Sequence, residues 1–275
     1  MQPVSKDNLS DYIRASAEFA KRKGFDALDF AFCIPGITDA GWEKHVECAL
    51  AASEEFGIKY EVCHLPFNGK VATDPSVIPE FNIKVHNGID AAAMLGAEYA
   101  VVHPNTTTIK RIRFNEKEAF ESVVSHLAPF VEHAERVGVK IVVENMRPVP
   151  MMYPYHRYCQ EPEELCAVAD KLGTGICWDF GHANLAGFRQ SEALAYVGSR
   201  LKLLHVNDNK GIDDDHLLPF HGSVDWRDAM HGLALAGYNG LFNYELHTPD
   251  IPFPLREKFA ELAVETAEEL MTYIV

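Results

Sequence analysis

The chain has 275 residues, 47% of them hydrophobic, and carries a formal charge of -15 from 40 acidic residues against 25 lysines and arginines. That length suits one domain spanning residues 1–275 around one large core, and the acidity sets a net repulsion against a nucleic-acid backbone, so no nucleic-acid partner is expected. No run approaches the roughly 18 apolar residues of a membrane span, and the opening MQPVSKDNLS lacks the apolar block of a signal peptide, so a cytoplasmic protein with no membrane partner is expected.

In chain order, residues 9–23 predict an amphipathic helix, and F-D-A-L-D-F-A-F from Phe25 a strand. Residues 39–56 read as a helix, followed by strands I-K-Y-E-V-C-H from Ile58 and E-Y-A-V-V-H from Glu98. The helix over 116–137 leads to V-K-I-V-V-E from Val139, and the helix over 161–172 to G-I-C-W-D-F from Gly175. Strands L-K-L-L-H-V from Leu201 and G-L-F-N-Y-E-L from Gly240 precede a last helix over 256–273. Gly57, Gly138, Gly173 and Gly237 stand where left-handed caps release helices into strands. This alternation implies βα units, a parallel sheet and a TIM-type (β/α)8 barrel. Only seven strands are evident, and residues 1–4 alone remain to supply the first. Either those residues form a stub of the first strand, or the barrel is open at its first position and something else covers the gap.

The six cysteines (Cys33, Cys48, Cys63, Cys159, Cys166, Cys177) form no C-x-x-C pair and suit a reducing compartment. The basic run Lys110-Arg111-Ile112-Arg113 reads as a solvated loop or a small-anion contact rather than a duplex-binding surface. The longest irregular stretch, 145–160, follows a strand with an acidic end and is a candidate active-site loop. Its Met146, Met151, Met152, Tyr153, Tyr155, His156 and Tyr158 would either close over a sugar face or pack against the barrel.

Successive strands finish at the same end in a metal-capable residue: His64, His103, Glu144, Asp179, His205 and Glu245. In a parallel barrel these ends converge on one face. Clustered carboxylates there are costly to desolvate unless they share a cation. Glu144, Asp179, His205 and Glu245 make a mostly oxygen-donor set suited to one Mn, Mg or Co ion, or to Zn if neighbouring histidines join. No organic cofactor is expected. His64, His103, His182, Asp214 and His216 would extend the set as further metal ligands, or would contact substrate or hydrogen-bond the ligands. Phe67, Tyr153 and Trp226 are wall candidates for a substrate, as is His182 for direct contact. Trp178 lies beside Asp179 on one strand, points the other way and is expected in the core. Arg147, Arg157 and Lys210 are the cations nearest the predicted mouth, although none sits in a Gly-rich phosphate loop.

The segments V-V-E-N-M (142–146), C-W-D-F-G-H-A-N (177–184), L-H-V-N-D-N (204–209), D-D-H-L-L-P-F-H-G-S-V-D-W (214–226) and Y-N-G-L-F-N-Y-E-L (238–246) resemble the xylose isomerase-like superfamily, especially its sugar phosphate isomerase/epimerase branch. The resemblance runs from the first helix to Glu245. It implies that Glu144, Asp179, His205 and Glu245 bind one divalent ion, as matching residues do in ketose 3-epimerases. It also implies that Glu144 and Glu245 flank the sugar as acid and base, and that His182 touches substrate. The same scaffold is similar to endonuclease IV, whose zinc ligands match His64, His103, Glu144, Asp179, His182, His205, Asp214, His216 and Glu245, so a multi-zinc phosphodiesterase acting on abasic DNA is the alternative. The acidity and the G-S-V-D-W segment favour sugar chemistry.

The expected activity is thus isomerisation or epimerisation of a sugar, sugar phosphate or keto-polyol, by proton abstraction next to a metal-chelated carbonyl. A keto-polyol dehydratase begins with the same step, and a non-catalytic binding module is a lesser alternative that retention of both glutamates disfavours. Relatives of this kind often form homo-oligomers, but no segment marks an interface.

Overall fold

The computed structural model describes residues 8–32, 34, 36–148, 155–247 and 251–274. Residues 1–4, assigned above to the missing strand, and Tyr153, assigned to the substrate wall, lie outside the described residues, as do Met151 and Met152. The chain divides into two compact units, one of residues 1–102, 129–141 and 251–264, the other of residues 103–128, 142–250 and 265–275.

The first unit runs α1 (Leu9–Arg22), β1 (Ala27–Ala31), α2 (Glu43–Phe56), β2 (Lys59–His64), α3 (Ile78–Leu95) and β3 (Tyr99–Val102). Each helix returns the chain so that β1 pairs with β2, and β2 with β3, in parallel. Ala17 and Ala20 of α1 pack with Ala52 of α2 and with Ile58, the alanines being small enough to let one helix lie close on the next. Asp74 accepts the backbone N–H of Ser76 at 3.0 Å, turning the chain into α3, whose first turn carries Pro79.

The second unit contains β4 (Thr108–Lys110). Helix α4 (Glu116–Val137) and strand β5 (Lys140–Glu144) contribute residues to both units. Next come β6 (Tyr155–Arg157), α5 (Pro162–Leu172), β7 (Gly175–Asp179), α6 (Phe180–Ala186), α7 (Gln190–Val197), β8 (Leu201–His205) and α8 (Trp226–Ala236). The last helix, α9 (Phe253–Met271), again spans both. Strand β5 pairs in parallel with β7, Glu144 beside Cys177, and β7 with β8, Asp179 beside His205. Ile176, Cys177 and Trp178 are all fully buried, as strands covered on both faces require. Trp178 lies in the core as expected, its indole N–H donating to Gln190 Oε1 at 2.9 Å.

The four glycine caps adopt left-handed φ values of 65° to 84°, as their positions implied. Two elements differ from the sequence reading. The segment from Gly240 forms no strand; it makes one parallel bridge, Tyr244 to Val206, in which Val206 N–H donates to Asn243 O (2.8 Å) and Glu245 N–H to Val206 O (3.2 Å). Its partner lies just past the end of β8, so the pairing has nowhere to extend. Conversely, β4 and β6 form an antiparallel pair, Thr108 opposite Arg157 and Lys110 opposite Tyr155, which converts the end of the irregular 145–160 stretch into a strand. The basic run continues from Lys110 into an exposed 3-10 turn, Arg111–Arg113.

Candidate metal centre

Three strand ends and one bridge bring the carboxylates of Glu144, Asp179 and Glu245 and the imidazole of His205 together, with one ligand atom from each within 4.8 Å of the others. His205 Nδ1 lies 3.3 Å from Glu144 Oε1 and 3.2 Å from Glu245 Oε2. Glu144, Asp179 and His205 are buried, while the Glu245 side chain keeps 36% of its exposure. Glu245 is the member that solvent or a substrate reaches most easily.

The cluster has a built support. Asp179 starts α6, and its Oδ1 accepts the N–H of His182 at 2.6 Å as an N-cap, while its Oδ2 accepts from Asn207 Nδ2 at 2.7 Å. Asn145 clasps the Asp179 backbone from both sides, donating Nδ2 to its carbonyl (2.9 Å) and accepting its N–H (2.6 Å). His103 Nε2 lies 3.1 Å from Glu144 Oε2. His182 Nδ1 lies 2.7 Å from Asn145 O and 3.4 Å from Glu144 Oε1, and its Nε2 lies 3.5 Å from Asp214 Oδ2. His216 touches the same Asp214 oxygen (3.4 Å) and the Glu245 carboxylate (3.7 Å).

The electrostatics follow from burial against charge. Burial opposes ionisation of Glu144, yet His205 and His103 outweigh it and hold the carboxyl well below its ordinary range. Asp179 is pushed up to about 6 by burial, with the like charges of Glu144 and Glu245 adding to it. Burial works against a proton on His182, but Asp179, Asp214 and Glu144 raise it to about 10. His216 rises to about 9 in the same way, through Asp214 and Glu245, and these histidines hold Asp214 low despite its burial. A divalent cation fits this donor set: it would relieve the mutual repulsion that lifts Asp179, and it accepts three carboxylates and one imidazole as ligands.

His64 is buried at the end of β2 in the first unit, Nδ1 2.8 Å from Leu65 O, with the half-exposed Phe67 ring against it at 5.8 Å. Trp226 is buried: its ring packs on Phe180 at 5.4 Å and its indole N–H donates to Asp208 Oδ2 at 2.9 Å. That placement is a packing role, because the indole is buried and its N–H is already used by Asp208. The residues that sequence reasoning passed over are Asn145, Asn207 and Asp208, all at 0–1% exposure. For Asn207 and Asp208 the signal was present in N-D-N (207–209), three polar residues following a buried strand without a turn between, whereas Asn145 carried none beyond its place after Glu144.

Residues 17–270 match the xylose isomerase-like TIM barrel family. The chain belongs to that family. It is 32% identical over 247 residues to the uncharacterized protein MJ1311 of Methanocaldococcus jannaschii, covering 86% of this chain and 80% of that one. It is 23% identical over 198 residues to the inosose isomerase of Halalkalibacterium halodurans, covering 68% and 65%. The crystal structure of a D-tagatose 3-epimerase-like protein superposes with a TM-score of 0.72 at 24% identity, covering 91% of this chain and 90% of that one. Among the curated relatives the alignments span from 45% to 80% of the relative's own length. The fold is therefore the TIM-type barrel expected from the strand–helix alternation, and among the described residues no helix is long and apolar enough to cross a membrane.

Proposed function

We propose that the chain is a divalent-metal-dependent isomerase or epimerase acting on a ketose or a related keto-polyol. The observation that carries this reading is the convergence of Glu144, Asp179 and His205 at three strand ends with Glu245 beside the bridge to Val206, in a family whose relatives here include an inosose isomerase. A cation held by these four residues would chelate the substrate's carbonyl and neighbouring hydroxyl and acidify the adjacent C–H. Glu144, kept ionised by His205 and His103, serves as one proton acceptor. Glu245, the more exposed carboxylate, serves as the other. Proton removal by one and return by the other on the opposite face gives epimerisation; return to the neighbouring carbon gives isomerisation. His182 donates a hydrogen bond to a substrate oxygen whose charge grows as the proton leaves.

Asp214 bears on the multi-zinc alternative. Its Oδ2 is 3.0 Å from Arg147 Nε, and a carboxylate already matched to a guanidinium is better suited to orienting His182 and His216 than to binding a further zinc. Elemental mass spectrometry of protein purified without added metal separates the readings: one ion per chain supports the sugar site, two or three zincs the phosphodiesterase. Deuterium uptake from solvent into a panel of ketoses then tests turnover, and near-normal exchange in both Glu144→Gln and Glu245→Gln would remove them from the acid/base roles.

A further inference from the structure

Arg157 of the second unit differs from Arg200 and Arg189 in having no anion of its own among the described residues. Arg200 grips Asp170 with two hydrogen bonds of 2.6 and 2.8 Å, and Arg189 bonds Asp228 and Glu192. Arg157 donates Nη1 to the carbonyl of Arg147 at 3.4 Å, and among the described residues no carboxylate oxygen lies within 4.0 Å of its guanidinium. It is also partly buried and next to a like charge: burial first, and Arg147 second, push it down to about 10, while Glu144 and Asp214 act on it through space in the opposite sense.

A guanidinium in that position is unfavourable unless something else completes it. Nor is it a side chain on a loose loop. Arg157 lies on β6, paired with Thr108 of β4, and its backbone N–H donates to Gln160 Oε1 at 3.1 Å. Arg147, its neighbour, reaches Asp214, and Asp214 reaches His182, which touches Glu144. Arg147 is thus linked to the proposed reacting centre through Asp214 and His182, and Arg157 joins it at the Arg147 carbonyl.

We propose that Arg157, with Arg147, is an anion subsite, and that the substrate is a sugar bearing an oxyanion group, a phosphate ester or a carboxylate, seated there while its carbonyl end reaches the metal cluster. Location of the carbonyl end rests on the function proposed above; the anion site itself does not. Two planar guanidinium forks, Arg157 reaching the Arg147 carbonyl and Arg147 reaching Asp214, suit a multi-oxygen anion. The unmatched charge is what the free protein retains so that the ligand completes it, the trade of stability for binding that functional sites show.

The test uses the full chain as purified and again after chelator treatment, titrated calorimetrically with inorganic phosphate and, separately, with acetate. One phosphate should bind per chain, and Arg157→Met should weaken it at least tenfold, with Arg157→Lys between the two. A melting temperature for Arg157→Met equal to or above the wild type, without anion, is the second expected result, since a structural arginine would give the reverse. Displacement of phosphate by a ketose phosphate against a ketonic sugar acid then identifies the source of the anion. Equal anion affinity in wild type and Arg157→Met, or a lowered melting temperature with affinity unchanged, overturns the proposal. Metal content and proton exchange of the wild type, measured alongside, judge the isomerase reading separately: if those fail while Arg157-dependent phosphate binding persists, the anion site stands without it.

Discussion

Asp208 offers the sharpest test of how the loop beyond β8 is held. Its carboxylate is fully buried and accepts five hydrogen bonds: Asn209 N–H (2.8 Å) and Val224 N–H (3.1 Å) on Oδ1, and Phe220 N–H (3.1 Å), Gly222 N–H (3.1 Å) and Trp226 Nε1–H (2.9 Å) on Oδ2. The donors at Phe220 and Gly222 are partly exposed and can return to water in a variant. Those at Asn209, Val224 and Trp226 are buried, and a stranded buried donor costs about 1–3 kcal/mol. Asp208→Ala should therefore lower stability by about 4 kcal/mol, taking the low part of that range for three donors because some water will follow. Asp208→Asn keeps one acceptor oxygen but turns an NH₂ toward the remaining donors, for a loss of about 2–3 kcal/mol. Trp226→Phe removes a single donor, for about 1 kcal/mol.

Urea unfolding followed by circular dichroism measures all three, since Trp226→Phe alters fluorescence by itself. The order Asp208→Ala, then Asp208→Asn, then Trp226→Phe is the signature of a carboxylate that organises a loop through many donors. An Asp208→Ala variant within about 1 kcal/mol of wild type would refute the reasoning, because it would mean the donors find equivalent partners without the carboxylate.

Asn207→Ala removes the 2.7 Å hydrogen bond to Asp179 Oδ2 and should weaken metal binding about 10–100-fold, as read by competition with a chelating dye. Adding the preferred cation at 100 times its Kd should stabilise the chain by about 2.7 kcal/mol, or about 5–10 °C at this size, and scanning calorimetry with Mn, Co, Mg and Zn should rank them; no shift with any of the four contradicts a metal site. Tyr60 is buried with its hydroxyl lacking a hydrogen-bond partner, and burial pushes its phenol up to about 12. The folded value exceeds the unfolded value near 10, so this contribution is complete below pH 10 and is lost as pH rises through 12, about 2.7 kcal/mol in all. Tyr60→Phe should flatten that alkaline loss and leave neutral-pH stability equal or higher, which urea midpoints at pH 8, 10 and 11.5 would check.

How far the sequence exposed this architecture depends on which force each residue answers to. Strands β2, β3, β5, β7 and β8 were legible because a strand buried on both faces must be a short β-branched or aromatic run, and the glycine caps marked where helices release the chain. The segment ending in Glu245 was legible as a strand by composition, yet it makes one bridge, since pairing depends on how much partner backbone remains beyond His205. The β4–β6 pair was invisible for the complementary reason: two three-residue strands of mixed polarity, Thr-Ile-Lys and Tyr-His-Arg, are defined by each other rather than by any local pattern.

The same contrast separates the two layers of the candidate site. Glu144, Asp179, His205 and Glu245 could be picked out because a charged group at a strand end is anomalous by itself. The residues that hold them cannot be read that way, since an asparagine is at home in any loop and its purpose lies in its partner. Residues 205–209 show the consequence. His205 belongs to the ligand cluster, Val206 makes the bridge that seats Glu245, Asn207 holds Asp179, Asp208 gathers the 217–226 loop, and Asn209 donates to Gly181 O at 2.8 Å. Gly181 permits this approach: a Cβ there would stand 2.0 Å from Asn207 Oδ1. Five consecutive residues thus serve five different neighbours, so a one-residue shift in the register of β8 would disrupt the ligand cluster, its support and the loop together. Register, rather than any one side chain, is what the packing of Leu203 and Leu204 in the core protects, and this ties the stability of the barrel directly to the geometry of the site.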